Sequence, residues 1–170
     1  MNQPTKATVV LLRDGDGRIC LAQKKQPIHH AQGELGYSLG TWNGYGGKME
    51  PEDESIKATA IRELFQESGV IAREEYLIPC GHVLFFWPKN ESDVADMEVW
   101  FYFLDIWEGS PYEGSEMGIP QFFTPDTVPY EDMMPGDKVV VPNMIAGEFM
   151  KGKLFLGKKD EHGKALFIPH

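Results

Sequence analysis

Two carboxylates, Glu63 and Glu67, stand four residues apart in a segment with helical periodicity, so they project side by side from one helix face. Such a like-charged pair costs roughly a few tenths of a kcal/mol in an isolated helix. Two readings are open. The pair belongs to a solvated amphipathic face, or it is a platform for a hard divalent cation, which lets neighbouring carboxylates tolerate each other. Upstream, Trp42-Asn43-Gly44-Tyr45-Gly46-Gly47-Lys48 sets three glycines around an aromatic residue. Glycine lets the backbone approach a ligand closely and frees amides for phosphate. Glu54, Arg62, Glu63, Glu67 and Gly69 follow this turn at intervals that favour the metal reading.

The helix that must carry these groups runs from Ser55 to Ser68. Ser55 is a good N-cap, and Gly69 stands where a left-handed C-terminal residue is wanted. Helical spacing puts Ala60, Ile61, Leu64 and Phe65 on a core-facing side, with Thr59, Arg62, Glu63, Gln66 and Glu67 opposite. Before the helix, Ala7–Arg13 and Arg18–Gln23 are strand-like runs joined by Asp14-Gly15-Asp16-Gly17, a hairpin signal. Residues 24–40 read as a loop long enough to suspect function. Leu77–Trp87, Met97–Ile106 and the short Gln121–Thr124 read as strands. A second helix starts near Gly136, within Pro135–Met150, and Lys153–Gly157 with Ala165–Ile168 forms a terminal hairpin. This order predicts an α+β fold, an α/β/α sandwich around a mixed sheet, as a single domain over residues 1–170.

Composition narrows the partners. The chain has 170 residues, 42% of them apolar, which excludes intrinsic disorder. Sixteen Lys and Arg face 26 Asp and Glu, a net charge of -10, and an acidic surface repels a nucleic acid polymer. A small phosphate ester remains compatible when a divalent cation neutralises both sides. Only Cys20 and Cys80 are present, too few for a disulfide framework, and the N-terminus lacks a signal-peptide layout; a reducing cytoplasm is expected. The most apolar stretch, Val99–Trp107, is short and holds Asp105, so no membrane span is expected. His29 and His30 are adjacent in a loop without metal-ligand spacing and read as solvent-exposed.

The stretch GGKMEPEDESIKATAIRELFQESGV resembles the Nudix box, G-x5-E-x7-R-E-U-x-E-E-x-G-U with U aliphatic. One extra residue lies between Gly47 and Glu54, and Gln66 stands where the box has the first glutamate of its E-E pair. The resemblance extends to the oxidised-purine nucleoside triphosphatases of the 8-oxo-dGTP diphosphatase type. It is carried by Gln23–Lys25, Thr41–Lys48, Met97–Phe103, Gly114–Met117 and Glu131–Asp137. It implies a Nudix fold and magnesium, or manganese in its place, bound by the Gly46 carbonyl, Glu63, Glu67 and Glu116. Glu63 or Glu67 would orient or deprotonate the attacking water. Glu54 and Arg62 would form a structural salt bridge. Gln66 would leave the site one charge short of the family pattern.

For the substrate, the resemblance implies contacts from Thr8, Lys24, Asn43, Gly46, Gly47, Lys48 and Asp137. Phe85, Trp87, Met97 and Met117 would form apolar walls, with Met134 over the base. Gly136 replaces a second acid, which bears on which purine is preferred. Glu116 also reads as a solvated turn residue, and the apolar residues also read as ordinary core. The implied activity is hydrolysis of oxidised purine nucleoside triphosphates to monophosphate and pyrophosphate by a monomer that sanitises the nucleotide pool. The alternatives are a Nudix pyrophosphohydrolase acting on another nucleoside diphosphate derivative, and a nucleotide-binding sensor without turnover.

Overall fold

A computed structural model describes residues 2–30, 33–35 and 38–170, without the side chains of 28–30 and 33–35. The exposure expected for the His29 and His30 side chains therefore lies outside the described residues. The first hairpin forms as its Asp-Gly turn requires: β1 (Thr5–Arg13) pairs antiparallel with β2 (Ile19–Gln23). The segment read as a loop carries a two-stranded ribbon, β3 (Ile28–His30) and β4 (Gly33–Leu35), and then β5 (Trp42–Asn43). Helix α1 spans Ile56–Ser68, β6 Leu77–Phe86, β7 Met97–Leu104 and β8 Gln121–Phe123. Helix α2 covers Asp137–Ile145, and β9 (Met150–Lys159) with β10 (Ala165–Pro169) closes the chain as a hairpin.

Apart from the β3-β4 ribbon, the strands form one sheet in the order β10-β9-β6-β7-β1-β2-β5, with β8 added on β2. It is mixed, because β1 runs parallel to β7 and β6 parallel to β9 while the other pairs are antiparallel. Alternation along β1 sends successive side chains to opposite faces. Val10 and Leu12 pack with Ala60 and Leu64 of α1, whereas Ala7 and Leu11 pack with Val140, Val141 and Met144 of α2. The sheet thus lies between two helices, the α+β sandwich that the element order predicts.

The capping groups set α1 as its sequence indicates. Ser55 Oγ accepts from the Ala58 amide at 3.0 Å, and Gly69, at φ 74°, donates its N–H to the Phe65 carbonyl. The buried face is rotated from the one expected. Phe65 is 52% exposed, while Thr59 and Glu67 are buried together with Ala60 and Leu64. The cause is a polar anchor at the N-terminal end. Arg62 donates to both carboxylate oxygens of Asp53, each at 2.8 Å, and Thr59 Oγ1 donates to the same carboxylate at 2.9 Å. These bonds hold that side of the helix inward, and Phe65 turns outward.

The acid paired with Arg62 is therefore Asp53, and not Glu54 as expected. Asp53 follows Gly47 after the five intervening residues of the box, so the chain's extra residue falls inside the segment leading to Arg62. The Arg62 guanidinium holds the Asp53 carboxyl far below the usual carboxylate range. A depressed folded-state value stabilises the protein above the unfolded pKa, near 3.8, and that stability is lost as pH falls below it. Asp53→Ala should cost about 3 kcal/mol in chemical unfolding, as for a buried pair broken on one side, and Glu54→Ala should cost under about 0.5 kcal/mol.

Candidate active site

The outer edge of β1 is shared between two partners. β2 takes the Leu12 end, and the glycine-rich segment takes the rest. Val10 N donates to the Tyr45 carbonyl at 2.6 Å, and Thr8 N to the Gly47 carbonyl at 2.9 Å. With both flanking carbonyls committed to β1, the alternation of extended backbone directs the Gly46 N–H and C=O away from it. The Gly46 N–H faces the Glu67 carboxylate and favours its ionised form. This approach requires glycine. A Cβ at Gly46 would run into the Thr8 carbonyl, and one at Gly47 would lie 2.5 Å from the Glu63 carboxyl carbon.

Glu63 and Glu67 of α1 thus lie against the glycine segment. Glu63 takes a hydrogen bond from Arg62 Nη1 at 2.9 Å. Its pKa is raised by burial, against the pull of Arg62. Glu67 is 5% exposed, and its Oε2 has no hydrogen-bond partner among the described residues. Burial pushes its carboxyl up to about 8; Lys24 opposes this, and the charges of Glu63 and Glu116 add to it. Glu116 reaches this group from an exposed loop whose backbone bonds to Lys25. Gln66 is exposed beside them, its amide oxygen accepting from Arg62 at 3.1 Å.

A cleft of about 640 Å³ runs from these carboxylates across the α2 side of the sheet. Thr8, Lys24, Asn43, Gly46, Gly47, Lys48, Phe85, Trp87, Met97, Met134 and Asp137 all line it, as do Glu63, Glu67 and Glu116. Asp137 opens α2 at the far end, where burial pushes its carboxyl up to about 6 against the opposing charge of Lys24. Trp87 and Met134 pack together there, each under 10% exposed. Met117 is a correction. It is fully buried in the α1-side core with Tyr45 and Leu64 and does not line the cleft.

Glu50, Pro135 and Leu156 also line the cleft and were not singled out from the sequence. Glu50 lies 3.6 Å from Arg62 and raises the Glu63 pKa. Its position inside the box loop was the available signal. Leu156 belongs to a strand whose periodicity says nothing of a cleft.

The donors at the acidic end are all oxygens: the Gly46 carbonyl and the carboxylates of Glu50, Glu63, Glu67 and Glu116. An unpartnered buried carboxylate oxygen and a glycine cradle fit a hard divalent cation. Among the described residues, no three His, Cys, Asp or Glu side chains are close enough by themselves to form a metal cluster. No helix among them is long and apolar enough to cross a membrane.

The NUDIX domain family matches residues 3–144. The chain is 31% identical over 166 residues to the oxidized purine nucleoside triphosphate hydrolase of Danio rerio, covering 98% of this chain and 93% of that one. It is 34% identical over 128 residues to the Mus musculus protein of the same name, covering 75% and 72%. In structure it is similar to a MutT protein from Bacillus halodurans, with TM-score 0.69 and 20% identity over 95% of this chain and 94% of that one.

Burial of an uncompensated Glu67 charge has a thermodynamic signature. A carboxyl raised from 4.5 to about 8 contributes stability that is complete below pH 4.5 and lost as pH rises to about 8. In the metal-free protein, Glu67→Gln should therefore raise the thermal midpoint at pH 8 by at least about 3 °C. At pH 4.5 the gain should vanish. An equal gain at both pH values would show that Glu67 is not charged in its buried position.

Proposed function

Because the chain belongs to the NUDIX family, we propose that it hydrolyses oxidised purine nucleoside triphosphates to the monophosphate and pyrophosphate, sanitising the nucleotide pool. The observation that carries this reading is one cleft with two chemically distinct ends. One end concentrates carboxylates against a glycine cradle, and the other is an apolar slot with two polar groups, the buried Asn43 and the half-buried Asp137. A triphosphate and a purine base need those two environments at once. The names of the Danio rerio and Mus musculus relatives point to the same substrate class.

Magnesium, or manganese in its place, would be held by the Gly46 carbonyl, Glu63, Glu67 and Glu116. When bound, it supplies positive charge against the phosphates and the leaving pyrophosphate. The protein's own groups do the rest. Glu63 or Glu67 orients the attacking water and accepts its proton. Lys24 and Lys48 bring positive charge to the substrate, and Thr8, Gly46 and Gly47 shape the passage between the ends. Asn43 and Asp137 bind the base edge, while Phe85, Trp87, Met97 and Met134 exclude water from its faces. Cys20 and Cys80 are buried in separate cores on opposite sheet faces, which supports a reducing, cytoplasmic setting and leaves them no part in the chemistry. A monomer suffices, because every group named comes from one chain.

The test is magnesium-dependent product release across a nucleotide panel. Pyrophosphate, not orthophosphate, should appear, with oxidised purine triphosphates turned over best. Glu67→Gln should cut turnover by about 100-fold or more while the protein stays folded. Near-normal turnover would remove Glu67 from the machinery, and preference for a nucleoside diphosphate derivative would replace the substrate class.

Gln66 allows a gain-of-function check. Its side chain lines the cleft beside Glu63, so Gln66→Glu adds a charge on the cation-facing side. The half-saturating magnesium concentration should fall. An unchanged or higher value would mean that Arg62 absorbs the added charge.

A further inference from the structure

We propose that Thr41 is a positioning residue that fixes Asn43 with its side-chain oxygen toward the cleft, so that the base end selects purines carrying N–H donors on two sides. The inference rests on the nucleotide reading above and deepens it. Asn43 ends β5, is 6% exposed and lines the cleft. Its Nδ2 lies 2.9 Å from the Thr41 carbonyl and 2.9 Å from Thr41 Oγ1. A carbonyl only accepts. The one hydroxyl proton of Thr41 is committed to the Ser38 carbonyl, at 2.5 Å, so Oγ1 also meets Asn43 as an acceptor. Turning the amide over would set Oδ1 against two acceptors. The orientation is therefore chemically determined, and Oδ1 is the atom left for a ligand.

Asp137 is the second polar reader, and its carboxylate only accepts once ionised. No further acid can stand beside it. A Cβ at Gly136 would lie 2.6 Å from Phe85 Cε1 and 2.7 Å from Leu154 Cδ2, because these apolar side chains fill the space. Lys24, the cation facing this region, is drawn to the carboxylates of Glu67 and Asp137. The base thus meets two acceptors and an apolar wall. Guanine carries its donors, N1–H and the 2-amino group, on one edge, and its N7 is an acceptor. In 8-oxoguanine N7 is protonated, which places a donor on the other side as well. Two acceptors in one cleft therefore favour the oxidised base, and leaving either acceptor unpaired in a buried site is costly.

Binding of monophosphates tests this without turnover or metal. Calorimetric titrations at pH 8 with 8-oxo-dGMP, dGMP and dIMP, which lacks the 2-amino group, should give progressively weaker affinity, each step about tenfold. Thr41→Val removes the hydroxyl acceptor, so the span across the three ligands should shrink by at least about threefold. Thr41→Ser should restore it. In wild type the Asn43 side-chain amide protons should be protected from exchange, and Thr41→Val should release them. Equal affinity for all three ligands in wild type, or an unchanged span in a folded Thr41→Val protein, overturns the acceptor assignment alone. Failure to bind any of the three overturns the nucleotide reading with it.

Discussion

The close contact of helix α1 with the glycine-rich segment is the constraint on which the site depends. Gly46 and Gly47 remove two Cβ atoms at the point where Thr8 and Glu63 press in from either side. That closeness brings Glu67 under the segment and leaves one of its oxygens buried and unpartnered. A stable protein ordinarily avoids such a group, since a buried charge without a partner is among the most costly arrangements in a fold. Here it is tolerated because Asp53, Arg62 and Thr59 hold the N-terminal end of the same helix in place. Arg62, the helical half of the stabilising pair, and the destabilising Glu67 carboxylate lie on neighbouring turns of one helix.

The remaining structure relays this contact to the cleft. β1 gives one edge to the glycine segment, one face to α1 and the other face to the α2 side of the sheet. The acidic end and the base end are thus registered to the same strand. Lys24, at the end of β2, places its charge against carboxylates at both ends of the cleft. The two ends are electrostatically linked by a single side chain.

Local signals in the sequence were legible where local chemistry decides. The Ser55 and Gly69 caps, the Asp-Gly hairpin and the terminal hairpin all form where residue types placed them. Signals failed where tertiary contacts decide. Phe65 has the periodicity of a core residue, yet the Asp53–Arg62 pair rotates the helix and exposes it. Asp53 was overlooked because the acid nearest the helix, Glu54, kept the seven-residue spacing to Arg62. Met117 is apolar and adjacent to Glu116, but it packs into the α1-side core while Glu116 stays exposed. Thr41 offered no signal, because its effect on Asn43 depends on where its own proton goes.

The C-terminal hairpin lies beyond residue 144, where the family match ends. It nonetheless completes one end of the sheet, with β10 at the edge: β9 runs parallel to β6, and Leu156 lines the cleft while Leu154 packs where a side chain at Gly136 would stand. The strands most peripheral to the family pattern therefore border the apolar end of the cleft. In such an arrangement part of the apolar wall of the cleft and its carboxylate end occupy separate stretches of sequence. Changes in the hairpin can reshape that wall while the carboxylate end, encoded about a hundred residues earlier, keeps its geometry.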